Sequence, residues 1–359
     1  MDEQNTYPQW DLFQRVGEVM EVREWGYEGP FLVFRGKLKN SPEEAFRLIK
    51  DHARVAGLLP LLQSDQKGEV LKFIPPPRPR RSSRVPVHIL LLFLTVLSTL
   101  LAGALMEGVQ PDDLLSRPSL LCKGIPFSFT LLVILGLHEL SHYFMSLKHG
   151  IRTSLPYFIP FPNILGTMGA VIVSRSPFPD RKSLFDVGVA GPLASFILSV
   201  IAIYIGLQSA ALAEVGPGGL LLGDSLLTRA LFSIRFPSIP PDCDIVIGPV
   251  AFAGWVGLFV TALNLLPMGQ LDGGHIAYAL FGRRHGLISA VSMGIVLLLG
   301  VIYRSPVWII IVLFIAFLGR HHNPPLNDIT PLNPSRVLLA VFSFLILVLC
   351  FIPVPIRIL

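Results

Sequence analysis

The strongest constraint on the fold is a series of apolar segments that begins at Val85 and continues to the end of the chain. A helix needs about 20 residues to cross a ~30 Å hydrocarbon layer. We predict seven spans, over residues 85–106, 126–147, 185–207, 246–267, 286–303, 305–319 and 336–353. The sixth is short, and it forms with the fifth either a tight helical hairpin or a single broken span. The pattern predicts a polytopic α-helical membrane protein.

Charged residues are scarce and unevenly spread along the 359 positions. They make up 15% of the chain, against about 25% in ordinary soluble proteins. Of the 53 Asp, Glu, Lys and Arg residues, 26 fall within the first 85 positions, which predicts a soluble head followed by a membrane body. The net charge of +5 gathers near the expected membrane boundary, so it reflects topology and no nucleic-acid partner is expected.

The head contains both strand and helix signals. Short apolar runs at 31–34 and 70–74 predict strands. Between them, Ser41, Pro42 and Glu44 have the order of an N-cap, a first helical residue and an N3 glutamate, and apolar residues follow at helical spacing. We therefore predict a small α+β domain, in which no catalytic motif is recognisable. A linker rich in proline and arginine separates it from the first span.

Lysine and arginine residues indicate the side of the membrane on which the head lies. Placing the head in the cytoplasm puts thirteen later Lys and Arg residues inside and six outside, in agreement with the positive-inside rule. We expect a multi-pass protein of the cell membrane with a cytoplasmic head. Cys122 and Cys243 then lie in outer loops, where they either form a disulfide or remain two unpaired cysteines.

The second apolar segment contains the pattern H-E-x-x-H. His138 and His142 are spaced to lie on one face of a helix, where two imidazoles can hold one zinc ion and Glu139 can act as a general base. The alternatives are a chance string or histidines that line a polar cavity. Because the surrounding run Phe127–Phe144 is almost entirely apolar, these side chains cannot form a solvated face. The pattern favours a metal centre.

A zinc hydrolase needs a third protein ligand and an open coordination position. Asp272 follows the fourth apolar segment, where Pro267 interrupts the helix and glycines permit a close backbone approach. Both segments run toward the cytoplasm, so Asp272 and His142 are expected near the same membrane depth. The alternative is an aspartate in an ordinary helix-terminal turn. His275 is open to three interpretations: a fourth ligand, a residue that supports a ligand, or an interfacial residue.

Two motifs together resemble the site-2 protease family of intramembrane zinc metalloproteases: HELSH at 138–142 and NLLPMGQLDGG at 264–274. The motifs GTMGAV at 166–171 and FDVGVAGP at 185–192 are similar to the plant chloroplast branch of that family, the gravitropism-deficient type, and its prokaryotic relatives. A soluble head before the first span also fits that branch. The resemblance covers roughly residues 85–285.

The resemblance implies roles for individual residues. It makes His138, His142 and Asp272 the ligands of one zinc ion per chain and Glu139 the catalytic acid/base. Asn264 is expected to hydrogen-bond the substrate backbone or the oxyanion. The resulting division is head, linker, catalytic core and additional C-terminal helices, over residues 1–74, 75–84, 85–285 and 286–359.

The segment between the second and third spans is interrupted by prolines, and residues 170–174 resemble a strand. We expect a membrane-associated β-hairpin whose edge adds an unwound substrate as a further strand, with Gly169, Val171 and Ile172 as substrate-binding residues. The alternative is an ordinary cytoplasmic loop with an apolar patch. Asp186 is expected to be the N-cap of the third span, and the glycines after it to permit close helix packing.

The predicted function is therefore intramembrane zinc proteolysis, with transmembrane proteins as substrates and the lipid bilayer as surroundings. Two other classes are weighed against it. A metal or proton transporter also places His and Asp inside the membrane, but no inverted repeat is evident in the apolar segments. A catalytically inactive family member, acting as a membrane chaperone or receptor, is disfavoured by the intact set of two His, one Glu and one Asp.

Overall fold

The structure is a computed structural model that describes residues 7–76, 84–214, 220–240, 243–318 and 323–358. The linker predicted over 75–84 lies mostly outside the described residues. The helices are α1 Tyr7–Val19, α2 Pro42–Val55, α3 Val85–Met106, α4 Pro111–Ser116, α5 Ile125–Lys148, α6 Arg181–Gly206, α7 Leu226–Arg235, α8 Pro249–Leu265, α9 Asp272–Phe281, α10 His285–Ile302, α11 Pro306–Leu318 and α12 Pro334–Cys350. The strands are β1 Met20–Glu28, β2 Phe31–Leu38, β3 Leu59–Asp65, β4 Gly68–Ile74, β5 Tyr157–Pro160, β6 Thr167–Val171, β7 Ala211–Glu214, β8 Leu220–Leu222, β9 Cys243–Val246 and β10 Ile356–Ile358.

The head is a four-stranded antiparallel sheet, in the order β1-β2-β4-β3, with α1 and α2 packed against it. Helix α2 begins as predicted: Pro42 is the first helical residue, and the Ser41 hydroxyl accepts a hydrogen bond from the Glu44 amide at 3.3 Å. The buried face of α2 is formed by Ala45, Phe46, Ile49 and Ala53. These side chains share one hydrophobic core with the sheet, so the helix and strand predictions for the head are confirmed.

Apolar helices dominate the rest of the chain. Among the described residues, four helical stretches are long and apolar enough to cross a membrane: Val85–Met106, Pro118–Lys148, Arg181–Ser209 and Asp272–Ile302. Helices α8, α11 and α12 are also apolar but have 17, 13 and 17 residues, fewer than the about 20 that a straight span requires. Each predicted segment contains one of these helices, and the count of seven spans stays a prediction.

Helix α6 lies at the centre of the membrane body, in contact with α5, α8 and α9. Small residues at its contacts let neighbouring backbones approach closely. A Cβ atom on Gly206 would lie 2.3 Å from the backbone nitrogen of Ala251, and one on Gly254 would lie 2.9 Å from that of Ile203. The central position of α6 allows it to support side chains that come from both α5 and α9.

The N-terminus of α6 differs from the prediction. Its N-cap is Asp180, whose carboxylate accepts a 2.7 Å hydrogen bond from the Ser183 amide. The expectation that Asp186 caps this helix is wrong, because the helix begins earlier and Asp186 lies in its second turn. The Asp186 carboxylate instead accepts two 2.7 Å hydrogen bonds from Arg336 of α12 and lies 3.0 Å from Nε2 of His149. Asp186 of α6 therefore connects this helix to α12 through Arg336 and to the end of α5 through His149.

Strands β5 and β6 form an antiparallel hairpin that packs against α3 and α5. Its second strand does not have the predicted bounds of 170–174. Strand β6 ends at Val171, and the chain beyond it pairs with a different segment, since Ser174 forms an isolated bridge with Thr153. The hairpin itself is present, so an irregular loop does not describe this segment.

Short strands that the sequence did not predict lie around α7. Strand β7 pairs with β9, and β8 pairs with β10. Cys243 begins β9 and is free, as are Cys122 and Cys350. The alternative in which Cys122 and Cys243 stay unpaired is therefore the one that the structure has.

The segment before α12 joins the head to the membrane body. Leu62 of β3 donates a hydrogen bond to the Leu326 carbonyl at 2.7 Å and accepts one from the Asp328 amide at 2.9 Å. Asn327 donates to the Pro179 carbonyl, just before α6, at 2.9 Å. We call these three residues of the connecting segment, 326 to 328, the clasp. The clasp holds an edge of the head sheet against the chain that leads into α6.

Candidate metal centre and active site

Helix α5 presents two imidazoles on one face. His138 and His142 are separated by about one helical turn, so both side chains extend in the same direction. Their Nε2 atoms lie 3.0 Å apart, and their side chains are 4% and 7% exposed. Two buried ring nitrogens that lie this close together on an apolar helix can provide two of the ligands of a metal ion.

Asp272 reaches the same point from the first position of α9. Helix α8 ends at Leu265, two residues before Pro267, and the chain then turns tightly. A Cβ atom on Gly273 would lie 2.0 Å from the Leu265 carbonyl oxygen, so this turn requires glycine. The Oδ2 atom of Asp272 lies 3.3 Å from Nε2 of each imidazole. The positive end of α9 also favours a carboxylate here.

The three predicted ligands thus come together, with their donor atoms within 4.8 Å of one another. The Nδ1 atom of His142 donates to the Val187 carbonyl at 2.7 Å, which leaves the Nε2 lone pair directed at Asp272. The Nδ1 atom of His138 lies 3.1 Å from the Ser195 hydroxyl. Two imidazole nitrogens and one carboxylate form a donor set that fits zinc.

Glu139 lies beside this donor set without belonging to it. It follows His138 in the chain, is 8% exposed, and is not one of the three clustered donors. The backbone of Ile172, just after β6, lies beside the carboxylate of Glu139. The Glu139 carboxylate thus lies between the donors and the hairpin, where it is available for proton transfer.

Asn264 approaches the donor set from a third helix, α8. Its side-chain Nδ2 atom lies 3.2 Å from Nε2 of His138. The amide group therefore borders the same small volume as the three donor atoms. Because an amide presents both a donor and an acceptor, it can hydrogen-bond a peptide group placed in that volume.

Comparison with known proteins gives the family of this arrangement. Residues 126–303 match the sequence model of peptidase family M50. The chain carries a peptidase family M50 domain. The predicted resemblance to site-2 proteases is thereby confirmed. The M50 domain extends from the start of α5 to the end of α10, and it includes the three clustered donors together with Glu139 and Asn264.

Three plant proteins are among those to which the chain is similar. The chain is 32% identical to the probable zinc metalloprotease EGY1, chloroplastic, of Arabidopsis thaliana, over 69% of this chain and 46% of the relative. It is 28% identical to the protein of the same name from Oryza sativa subsp. japonica, over 92% and 64%. A third relative, the probable zinc metallopeptidase EGY3, chloroplastic, of Arabidopsis thaliana, is 29% identical over 68% and 46%. The chain spans about half the length of the Arabidopsis relatives.

The hairpin of the M50 domain holds the three residues predicted to bind substrate. The backbone of Ile172 lies beside the Glu139 carboxylate. Gly169 and Val171 lie on β6 itself, where Gly169 has a φ of 99° and Val171 is 47% exposed. The structure therefore places Ile172 next to Glu139 and the other two residues along the strand that precedes it.

His275 of the M50 domain is not part of the metal-type cluster of the described residues. Its Nδ1 atom bonds the Leu271 carbonyl at 3.1 Å, and its ring packs edge-on against Phe178 with centroids 5.8 Å apart. These contacts place the ring against the chain before α6, and its role stays a prediction.

Sequence reasoning missed Ser195 and Thr261 of the M50 domain and did not relate Gly191 to a metal ligand. A Cβ atom on Gly191 would lie 2.2 Å from Nε2 of His142, so the expected close packing is against the ligand itself. Ser195 contacts His138, and Thr261 lies 2.8 Å from the Ser195 hydroxyl. Serine and threonine are common at helix interfaces in membranes, so their presence alone did not mark them. The spacing of four residues from Gly191 places Ser195 on the same face of α6.

Proposed function

We propose that this chain is an intramembrane zinc metalloprotease that hydrolyses peptide bonds in or near transmembrane segments of membrane-protein substrates. The observation that carries the proposal is the buried cluster of His138, His142 and Asp272, with Glu139 beside it, in a peptidase family M50 domain. Three relatives named as probable zinc metalloproteases or metallopeptidases add support. The helices that carry His138, Glu139 and Asp272 belong to stretches of membrane-spanning length.

The three clustered donors would hold one zinc ion per chain. A bound zinc ion supplies Lewis-acid polarisation of a peptide carbonyl and makes water more acidic. The protein's contribution is orientation, because both imidazoles are held through Nδ1 and the carboxylate is fixed at the start of α9. Burial of the histidines limits competing hydration of the donors.

Glu139 carries the proton transfers. Its carboxylate oxygen takes a proton from the attacking water and later delivers it to the amide nitrogen of the leaving segment, acting first as base and then as acid. The backbone of Ile172 lies beside this carboxylate and borders it on the hairpin side. The side-chain amide of Asn264, 3.2 Å from Nε2 of His138, hydrogen-bonds the substrate carbonyl oxygen as negative charge develops on it.

The substrate binds as an extended strand along the hairpin. A transmembrane helix satisfies all its peptide groups internally, so a stretch must unwind and find new hydrogen-bond partners before cleavage. Among the described strands, β6 pairs only with β5, which leaves its second edge for an added strand. Gly169, Val171 and Ile172 lie along or just beyond this strand and lead to Glu139.

The topology that we propose has the head on the cytoplasmic side of a cell membrane, seven spans, and the division into head, linker, catalytic core and C-terminal helices given above. The distribution of thirteen inner and six outer basic residues supports the orientation. The hydrogen bonds of the clasp hold the head close to the membrane body, so the linker is not the only connection between them.

The test is metal-dependent cleavage by the purified full-length chain, reconstituted in vesicles with single-span membrane proteins. Chelation is expected to abolish cleavage, and added zinc to restore it. Cleavage that survives complete removal of metal would contradict the proposal. Zinc uptake into the vesicles without any cleavage would favour a transporter instead.

A further inference from the structure

We infer that Ser195 and Thr261 form a relay of hydroxyl groups that positions His138 for metal binding, an inference that rests on the proposed function. Ser195 lies on α6 and Thr261 on α8, and the two residues are 2% and 0% exposed. Neither belongs to the donor cluster. They lie where α6 and α8 pack together and against α5, so they can act on the metal only through His138.

The hydrogen bonds of the relay have one consistent direction. The Thr261 hydroxyl lies 2.7 Å from the Gly257 carbonyl, which can only accept, so its single proton is directed there. Thr261 Oγ1 then accepts the proton of the Ser195 hydroxyl, 2.8 Å away. Ser195 Oγ, having donated its proton, accepts from Nδ1–H of His138 at 3.1 Å. The relay therefore selects the tautomer whose Nε2 lone pair is directed at the metal position.

Other acceptors near Ser195 are less favourable. The carbonyls of Gly191 and Pro192 both lie 3.2 Å from the Ser195 hydroxyl, farther than Thr261. We expect the effect of substitution at the lower end of the range for groups that support a metal ligand.

The two histidines differ in how they are held. His142 donates to a backbone carbonyl, that of Val187, at 2.7 Å, and no side-chain substitution removes that acceptor. His138 is the ligand whose orientation depends on side chains. This difference makes Ser195 and Thr261 accessible to a direct test by mutagenesis.

Helix α6 supplies a matched control for Ser195. Ser199 lies one turn farther along, is 0% exposed, and its Oγ atom has no hydrogen-bond partner among the described residues. Replacing it with alanine removes the same atom from the same buried helix without touching His138. A merely structural role, in which Ser195 and Thr261 only join α6 to α8, would lower thermal stability and leave the zinc affinity of the folded protein unchanged.

The test measures zinc affinity of the detergent-solubilised full-length chain by competition with a chromophoric chelator. We expect Ser195→Ala to weaken zinc binding about tenfold and Thr261→Val to weaken it by a smaller factor. Thr261→Ser, which keeps the hydroxyl, and Ser199→Ala are expected to bind zinc like the wild type. Thermal midpoints of the metal-free proteins are recorded alongside.

Zinc affinity of Ser195→Ala equal to that of the wild type overturns the inference, and so does an equal loss in Ser195→Ala and Ser199→Ala. If Ser195→Ala does not fold, Thr261→Val compared with Thr261→Ser decides by the same criterion. A wild-type chain that binds no zinc contradicts the proposed function itself, and this result is distinguishable because it precedes any comparison of variants.

Discussion

Gly191 of α6 lies against the imidazole of His142, so that a Cβ atom at position 191 would stand 2.2 Å from Nε2. The same hypothetical atom would lie 2.7 Å from two ring carbons. The ligand ring therefore occupies the space that any larger side chain would fill. Because residue 191 is glycine, α5 can pack closely against α6 and His142 can occupy its position.

Gly191→Ala is expected to displace His142 and to weaken zinc binding by at least about tenfold, the scale on which misplaced ligand support acts. Chelator competition on the folded variant measures the effect. Gly294→Ala is the matched control, because a Cβ atom at that helical position meets nothing within 4 Å. If Gly191→Ala binds zinc as tightly as Gly294→Ala, the described contact with His142 does not govern the site.

Asp272→Asn preserves the size of the side chain but removes the negative charge that lies 3.3 Å from both imidazole nitrogens. We expect zinc affinity to fall by more than tenfold and cleavage to be lost. Asp186→Asn is the control, since Asp186 pairs with Arg336 and His149 outside the donor cluster. This control should lower the thermal midpoint without lowering the zinc content of the folded protein. Equal zinc affinities in Asp272→Asn and wild type would exclude Asp272 as a ligand.

Ile172→Glu places a second carboxylate at the residue whose backbone lies beside Glu139. We expect cleavage to fall at least tenfold while zinc content stays unchanged, because the donor cluster is not touched. Ile172→Ala removes the apolar side chain without adding a charge and serves as the control, with a smaller loss of cleavage. Parallel assays of zinc content and substrate cleavage decide the matter. A simultaneous loss of both in Ile172→Glu would indicate a structural role for this residue.

Asp328 of the clasp has a side chain that is 4% exposed; it pairs with Arg181 at 3.0 Å and accepts from the Tyr278 hydroxyl at 3.1 Å. Asp328→Ala is expected to destabilise the protein by about 2 kcal/mol, as for loss of buried hydrogen bonds to a charged group. Lys182→Gln breaks the ion pair with Glu43, whose side chain is 67% exposed, and should change stability by less than about 1 kcal/mol. Thermal unfolding in detergent ranks the two variants. The reverse order would contradict the role of the clasp.

The donor set could be predicted because its signals are local. His138 and His142 share one helical face by spacing alone, and the proline and glycines around Asp272 mark its turn. The N-cap at Asp186 was predicted wrongly because hydropathy locates the apolar part of α6, while the helix begins in a polar turn at Asp180. Local patterns reveal an apolar segment more reliably than the polar residues at its end.

Contacts between distant segments were not predictable. The bonds of Leu62 to the clasp join positions more than 260 residues apart, and neither partner carries a pattern that names the other. The same holds for Ser195 and Thr261, which meet only because α6 and α8 pack closely. Such pairs depend on the packing of whole helices, which a single sequence does not encode in any local motif.

The most direct test of the proposed activity is a paired measurement of zinc content and substrate cleavage in the wild type and Glu139→Gln. Glutamine retains the shape of the side chain but cannot take up the proton that the proposed mechanism transfers. We predict one zinc ion per chain in both proteins and cleavage of a single-span substrate by the wild type alone. Undiminished cleavage by Glu139→Gln, or absence of zinc from the active wild type, would contradict this prediction.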